Sequence, residues 1–401
     1  LGLVALTVIA AIPLIPIEGE DLGFLHGHPG LAALGITLAT ATVIACGLPA
    51  RVQSLLPMRG LAALGDASYS IYLAHYPAVV LFLYQPFAGT ITQSESPRQL
   101  ALATVWVVVA STLLYRFVEK PLRHRAPARP FLAAAATTLL AIAIATPWIK
   151  TSTLTPAEKA IFAARFDRDP FRCGKVWRAL HPAAATCPIN QPDLSVLNVF
   201  FVGNSHADAL KRVMTEAADA LGVQLYLTVE NYPLMPQGQL GTKEILAHAR
   251  SQGASALILH YSPGAVSPER IAELVEQAAE RGIVTSFLMP VPSPADHVPR
   301  LMWDAARSGL PAPLTTIADY RREHADLIRG LSDIRLPTFR IYEVADHYCQ
   351  PDCAVSSDTG LPYYYDRDHM TVTGGRLLQG TLKRMLSDLV TSEGAQSARA
   401  P

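Results

Sequence analysis

Apolar and polar positions divide the chain into two halves of different texture. Before residue 150 the apolar residues run on almost without interruption. The stretches at about 1–17, 31–49, 70–88, 99–118 and 131–149 each hold roughly 17 to 20 positions, the length a helix needs to cross a bilayer. One large buried core is the other explanation for such runs, but soluble domains rarely carry five in so short a length. After residue 195 the apolar runs are short and alternate with helical repeats. Positions 197–202, 223–229, 256–261, 284–290 and 338–344 read as strands. Positions 207–221 read as a helix with Leu210, Val213, Met214 and Ala217 on one face. So do 271–281, closed by Gly282, and 371–390. Strands alternating with helices predict a parallel sheet covered on both faces, with ligands bound beyond the carboxyl ends of its strands.

Charge sharpens this division. The 401 residues hold 33 Lys and Arg against 33 Asp and Glu, and only 16% are charged, where soluble proteins average roughly 25%. The absence of a basic excess argues against a nucleic-acid partner. The 18–30 loop carries Glu18, Glu20 and Asp21 and no Lys or Arg, whereas the next loop carries Arg51 and Arg59. Around 89–98 there is only Arg98, beside Glu95; then come Lys120, Arg123, Arg125 and Arg129. This alternation follows the positive-inside rule, with 50–69 and 119–130 cytoplasmic and everything after about 150 outside the cytoplasm. The first residue is Leu1, and the first apolar stretch begins without a charged leader. The expectation is a piece of a longer chain whose earlier spans are missing.

The expected organisation is a membrane domain over 1–149, a linker and disulfide-stapled region over 150–194, an α/β domain over 195–392 and a disordered tail over 393–401. Of five cysteines, Cys46 lies in an apolar stretch. The four in the exported part pair as Cys173–Cys187 and Cys349–Cys353, as an oxidising compartment allows. A metal site is the alternative for the second pair, but no other ligand pair stands at a suitable spacing, and no metal is expected.

The first predicted strand ends in Gly203-Asn204-Ser205-His206. By itself this is a helix start capped by Asn204 or Ser205. It is also where a strand-to-helix turn holds a nucleophile. A serine hydroxyl needs an imidazole to take its proton and a carboxylate to orient that imidazole. Asp366 and His369, three apart before the last helix, supply such a pair. Asp368 competes with Asp366, although adjacent residues in a turn usually point apart. Acidic capping of the last helix is the plainer reading of these residues. His75, in the third apolar stretch with Tyr72 and Tyr76, is a polar group at lipid depth that serves either helix packing or an acyl path. His26 and His28 read as a solvated loop, and Asp296-His297 and Asp346-His347 as loop pairs. Arg367 is a possible contact for an anionic sugar.

Gly203-Asn204-Ser205-His206 and Asp366-Arg367-Asp368-His369, followed by Met370-Thr371 and Gly374, resemble the blocks of the SGNH/GDSL hydrolase superfamily, with Asn204 where Asp is usual. The resemblance implies an SGNH-like, flavodoxin-like parallel sheet and a Ser205–His369–Asp366 triad. It also implies an oxyanion hole built from the Ser205 N–H, a Gly and an Asn. Asn231 is the available Asn, no Gly stands at the expected place, and 261–264 holds no Asn. Residues 64–77, from Leu64-Gly65-Asp66 through Tyr69-Ser70-Ile71-Tyr72 to His75-Tyr76-Pro77, resemble the acyltransferase family 3 membrane domain. So do Tyr115-Arg116-Phe117-Val118-Glu119-Lys120-Pro121-Leu122-Arg123. Together the resemblances imply a multi-span helical membrane region followed by the α/β domain, in a bacterial inner membrane with that domain periplasmic. They imply an O-acyltransferase that passes an acetyl group to a cell-envelope polysaccharide. Acetyl-CoA would be the donor, and no cofactor would be tightly bound. A membrane-tethered carbohydrate esterase and a non-catalytic glycan-binding module are the other two readings.

Overall fold

The computed structural model describes residues 1–12, 31–84, 86–87, 96–123, 129–169, 171–181, 184–230, 234 and 240–397. The chain divides into two compact units, Leu1–Thr138 and Leu139–Pro401.

The first unit is helical. Pro97–Leu122, with 26 residues, is long and apolar enough to cross a membrane, and so is Leu132–Ile149, with 18, which extends past the unit's end. The apolar helices Gly2–Ala11, Ala33–Cys46 and Ser68–Leu83 are shorter, at 10–17 residues. Five full-length spans were expected, so three of them fall short among the described residues. At 1.5 Å per residue, helices shorter than about 17 residues do not reach across a hydrocarbon core of ~30 Å. Segments 64–77 and 115–123 meet. Buried Ser70 donates to Glu119 Oε2 at 2.5 Å, and Arg123 donates to Glu119 Oε1 at 2.5 Å and to the Asp66 carbonyl. A carboxylate among apolar helices is costly unless paired, and Ser70 and Arg123 pair it. His75 Nδ1 lies 2.6 Å from the Tyr72 carbonyl of its own helix.

The second unit carries a six-stranded sheet in the order β1-β3-β2-β4-β5-β6. The strands are β1 (Thr186–Pro188), β2 (Leu197–Gly203), β3 (Val223–Val229), β4 (Ala256–His260), β5 (Val284–Leu288) and β6 (Phe339–Tyr342). β2 to β6 are parallel, as expected, but β1 pairs antiparallel with β3, so the sheet is mixed. β2 is central, and Val199, Phe200, Phe201 and Val202 are fully buried. A continuous apolar run is what a strand covered on both faces requires. Truncating Phe201 to Ala would cost about 3–5 kcal/mol. The chain leaves β2 for β3 on one side and later returns to β4 on the other. The gap beyond the carboxyl ends of β2 and β4 is therefore the topological switch point.

Three boundaries differ from expectation. The stretch 150–194, expected as a linker and disulfide-stapled region, also holds the Pro156–Ala163 helix, the Lys175–Leu180 helix and β1. Thr155 and Glu158 form a capping box at the start of the first helix, and Phe162 packs edge-on against Trp303. The predicted helix 371–390 is broken into Val372–Gly375, a 3-10 turn at Arg376–Leu378 and Gln379–Ser397. That last helix continues into 393–397, which had been read as disordered. Both expected disulfides, Cys173–Cys187 and Cys349–Cys353, are formed.

Candidate active site

Gly203 ends β2 where the backbone of β4 passes close by. A Cβ there would lie 1.9 Å from the His260 carbonyl oxygen and 2.6 Å from Ala207 Cβ, so only glycine fits. Asn204 then caps the Ser205–Asp219 helix, its Oδ1 accepting the His206 N–H at 3.1 Å. The same oxygen accepts the Ser262 N–H at 3.2 Å, and Nδ2 donates to Ser262 Oγ at 2.7 Å. The capping reading therefore holds for Asn204 and frees Ser205 for other work. Ser205 is the first residue of the helix, where N–H groups have no intrahelical acceptor.

Ser205 Oγ lies 2.7 Å from His369 Nε2, although 164 positions separate the two. His369 Nδ1 lies 2.8 Å from Asp366 Oδ2 and 3.1 Å from Oδ1. Asp366 Oδ1 also accepts the backbone N–H of Asp368 and of His369, at 3.1 and 2.8 Å. That double acceptance curls the turn so that Asp368 does not point away, as adjacency in a turn had suggested. Its Oδ1 stands 3.1 Å from His369 Nδ1 and its Oδ2 3.4 Å from His206 Nε2. Burial opposes the charged form of His369, but hydrogen bonds to Asp366 and Asp368 outweigh it, and the imidazole is pushed up to about 9. Burial likewise resists ionisation of Asp366, and bonds from His369 and the turn's N–H groups carry it below the usual carboxylate range. Hydrogen bonds from His206 and then His369 hold Asp368 well below that range.

Sequence reasoning missed the wall of this site. Tyr365 stacks almost parallel to His369, with centroids 5.6 Å apart, and the Arg168 guanidinium sits 4.8 Å from the Tyr365 ring centre. Asp167 accepts the Val372 N–H through its carbonyl and the Thr373 N–H through Oδ2, at 2.9 and 3.0 Å. Lys211, one turn and a half beyond Ser205, donates to the Asp169 carbonyl at 2.8 Å and to Asp208 Oδ1 at 3.1 Å. Arg172 reaches Asp208 at 3.7 Å and the Val229 carbonyl at 3.2 Å. Asp167, Asp169 and Arg172 thus bind the starts of both helices that carry the site. No sequence signal marks them beyond a local excess of charged residues.

The remaining candidates lie apart or outside. Asn231, His26 and His28 fall outside the described residues. Asp296 Oδ1 accepts the His297 N–H at 2.7 Å. Burial pushes His297 down, and the nearby Asp366 charge opposes that shift. His347 is bonded to Thr381 at 2.8 Å, and Arg367 is exposed. Ligand-capable atoms of His206, Asp368 and His369 lie within 4.8 Å of one another.

Residues 172–384 match the family described as the SGNH domain fused to AT3 domains. A stretch of 96 residues is 30% identical to the Bacillus subtilis (strain 168) protein named "Putative peptidoglycan O-acetyltransferase YrhL", covering 23% of this chain and 14% of that protein's length. The periplasmic domain of a lipopolysaccharide acetyltransferase from Salmonella ser. Paratyphi A is 12% identical. That comparison covers 59% of this chain and 98% of that one, with a TM-score of 0.41. Across just over half its length, this chain belongs to the family of SGNH domains fused to AT3 domains.

Proposed function

We propose that the chain serves a membrane-bound O-acetyltransferase that modifies a cell-envelope glycan outside the cytoplasm. The observation that carries this reading is the unbroken line from Ser205 Oγ through His369 to Asp366, set at a helix N-terminus. His369 Nε2 takes the proton of Ser205 as Oγ attacks the acyl carbonyl, then gives it to the donor's leaving group. In the second half, His369 takes the proton of a sugar hydroxyl, that oxygen attacks the acyl-serine, and the proton returns to Ser205 Oγ as the ester departs. Asp366 keeps the imidazole in the tautomer that presents Nε2 to the serine. The Ser205 N–H is the first oxyanion donor, with Asn231 a further candidate.

Two long apolar helices and three shorter ones support attachment to a bilayer. Two disulfides in the second unit support an oxidising, extracytoplasmic location for it. Acetyl-CoA is the donor this reading calls for, and the acceptor is a polysaccharide or other glycan. The test compares acceptor O-acetylation in cells carrying the complete gene or its Ser205→Ala form. Loss of acetylation is expected, and unchanged acetylation would overturn the mechanism. Turnover of nitrophenyl acetate that outpaces transfer to any glycan would instead identify an esterase.

A further inference from the structure

We propose that His206 is a positioning residue that anchors Asp368 against His369, so that the base of this site works under two carboxylates instead of one. The inference rests on the acyl-enzyme reading given above and adds to it a pair of residues outside the triad.

Asp368 bridges two imidazoles. Its Oδ1 is 3.1 Å from His369 Nδ1, its Oδ2 is 3.4 Å from His206 Nε2, and the two rings are 5.1 Å apart between centroids. His206 is 3% exposed, whereas the Asp368 side chain is 40% exposed. His369 holds only one oxygen of a carboxylate that open to water, and solvation favours its rotation outward. The buried imidazole supplies a second anchor, because His206 is fixed by its place in the first turn of the Ser205–Asp219 helix and its Nε2 faces Asp368 Oδ2.

The charged and titratable groups around the pair are few. On the core side His260 faces His206 at 6.4 Å between ring centroids; its Nδ1 is bonded to the Leu288 carbonyl, and burial pushes it down to about 3, so it is neutral. On the helix, Asp208 is engaged by Lys211 and Arg172. Across the site, Asp366 and Tyr365 border His369, Arg168 lies against Tyr365, and His297 lies near Asp366. None of these groups bridges to His206, so Asp368 is the link between the two histidines.

The chemical consequence concerns proton transfer. A second anion at Nδ1 stabilises the imidazolium that forms whenever His369 accepts a proton, from Ser205 or from an acceptor hydroxyl. It makes the base stronger, at the cost of raising the pH at which it becomes neutral. Transfer to a sugar hydroxyl, a weak acid, gains from a stronger base.

The experiment measures the rate of fluorophosphonate labelling against pH for the purified full chain. Asp368→Asn and His206→Leu are each expected to move the acidic limb to lower pH by about one unit, with a lower plateau. The double variant is expected to move it no further, because both changes remove the same contact. His206→Gln, which keeps a side-chain N–H donor, is expected to restore most of the native limb. An unmoved limb in Asp368→Asn overturns the proposal, as do additive shifts in the double variant. Asp368→Asn is partly exposed and tests the idea even if His206→Leu fails to fold. Labelling that persists in Ser205→Ala would instead sink the underlying mechanism, which separates the two failures.

Discussion

The Asn204 side chain donates from Nδ2 to Ser262 Oγ at 2.7 Å and so ties the end of β2 to the residues that follow β4. The same side chain caps the helix that opens with Ser205, so one amide fixes both walls of the switch point. Asn204→Ala should therefore lose a cap and the tie together, costing about 2 kcal/mol. Asn204→Asp keeps the oxygen that accepts the His206 and Ser262 N–H groups, and the Ser262 hydroxyl can turn to donate. It should lose little stability. Chemical denaturation of both variants, followed by serine labelling, checks this; equal losses would show that the contact to Ser262 does not depend on the acceptor oxygen.

How much of this was legible in the sequence depends on whether the determinant is local. β2 to β6 are apolar runs between helical repeats, and each was found to within a few residues. Ser205, Asp366 and His369 stood out because each sits at a strand or helix boundary. β1 was missed because three residues carry no periodicity, and its pairing with β3 is set by contacts more than 35 positions away. Asp368 was misjudged because the rule for adjacent residues ignores what Asp366 does to the turn. Asp167 and Arg172 lie in what reads as a linker and disulfide-stapled region because their partners, such as Thr373 and Asp208, lie far along the chain.

The pH response follows from the raised basicity of His369. Only the neutral imidazole can take the serine proton, so labelling of Ser205 should climb with pH until about 9. Stability should run the other way. A group whose basicity rises on folding stabilises the fold fully below its ordinary value of 6.5, and this contribution is lost as pH rises through about 9. Denaturation midpoints measured across that window should fall while labelling rises, and midpoints rising together with labelling would contradict the assignment.

Replacing Asp366 tests how the two carboxylates divide the work. Where a single carboxylate serves the histidine, its amide analogue costs about 10⁴-fold in turnover. Here Asp368 also stands 3.1 Å from Nδ1, so Asp366→Asn should cost clearly less, on the order of 10²-fold. The full loss should return when Asp368→Asn is added. A loss near 10⁴-fold in the single variant would mean that Asp368 does not support the tautomer.

The Cys173–Cys187 bridge ties the segment that borders the site to β1, at a sequence separation of 14. Closing a loop of that size is worth about 3 kcal/mol, and β1 is short and paired on one side only. Arg172, next to Cys173, reaches Asp208 on the Ser205 helix, and Arg168 lies on Tyr365, which stacks on His369. Loosening the segment should therefore reach the site as well as the fold. Cys173→Ser with Cys187→Ser is expected to lower the denaturation midpoint and to slow Ser205 labelling several-fold even where the chain remains folded. Cys349→Ser with Cys353→Ser, at a turn away from these contacts, is expected to lower the midpoint with little effect on labelling. Equal effects of the two pairs on labelling would show that the bordering segment does not hold the site.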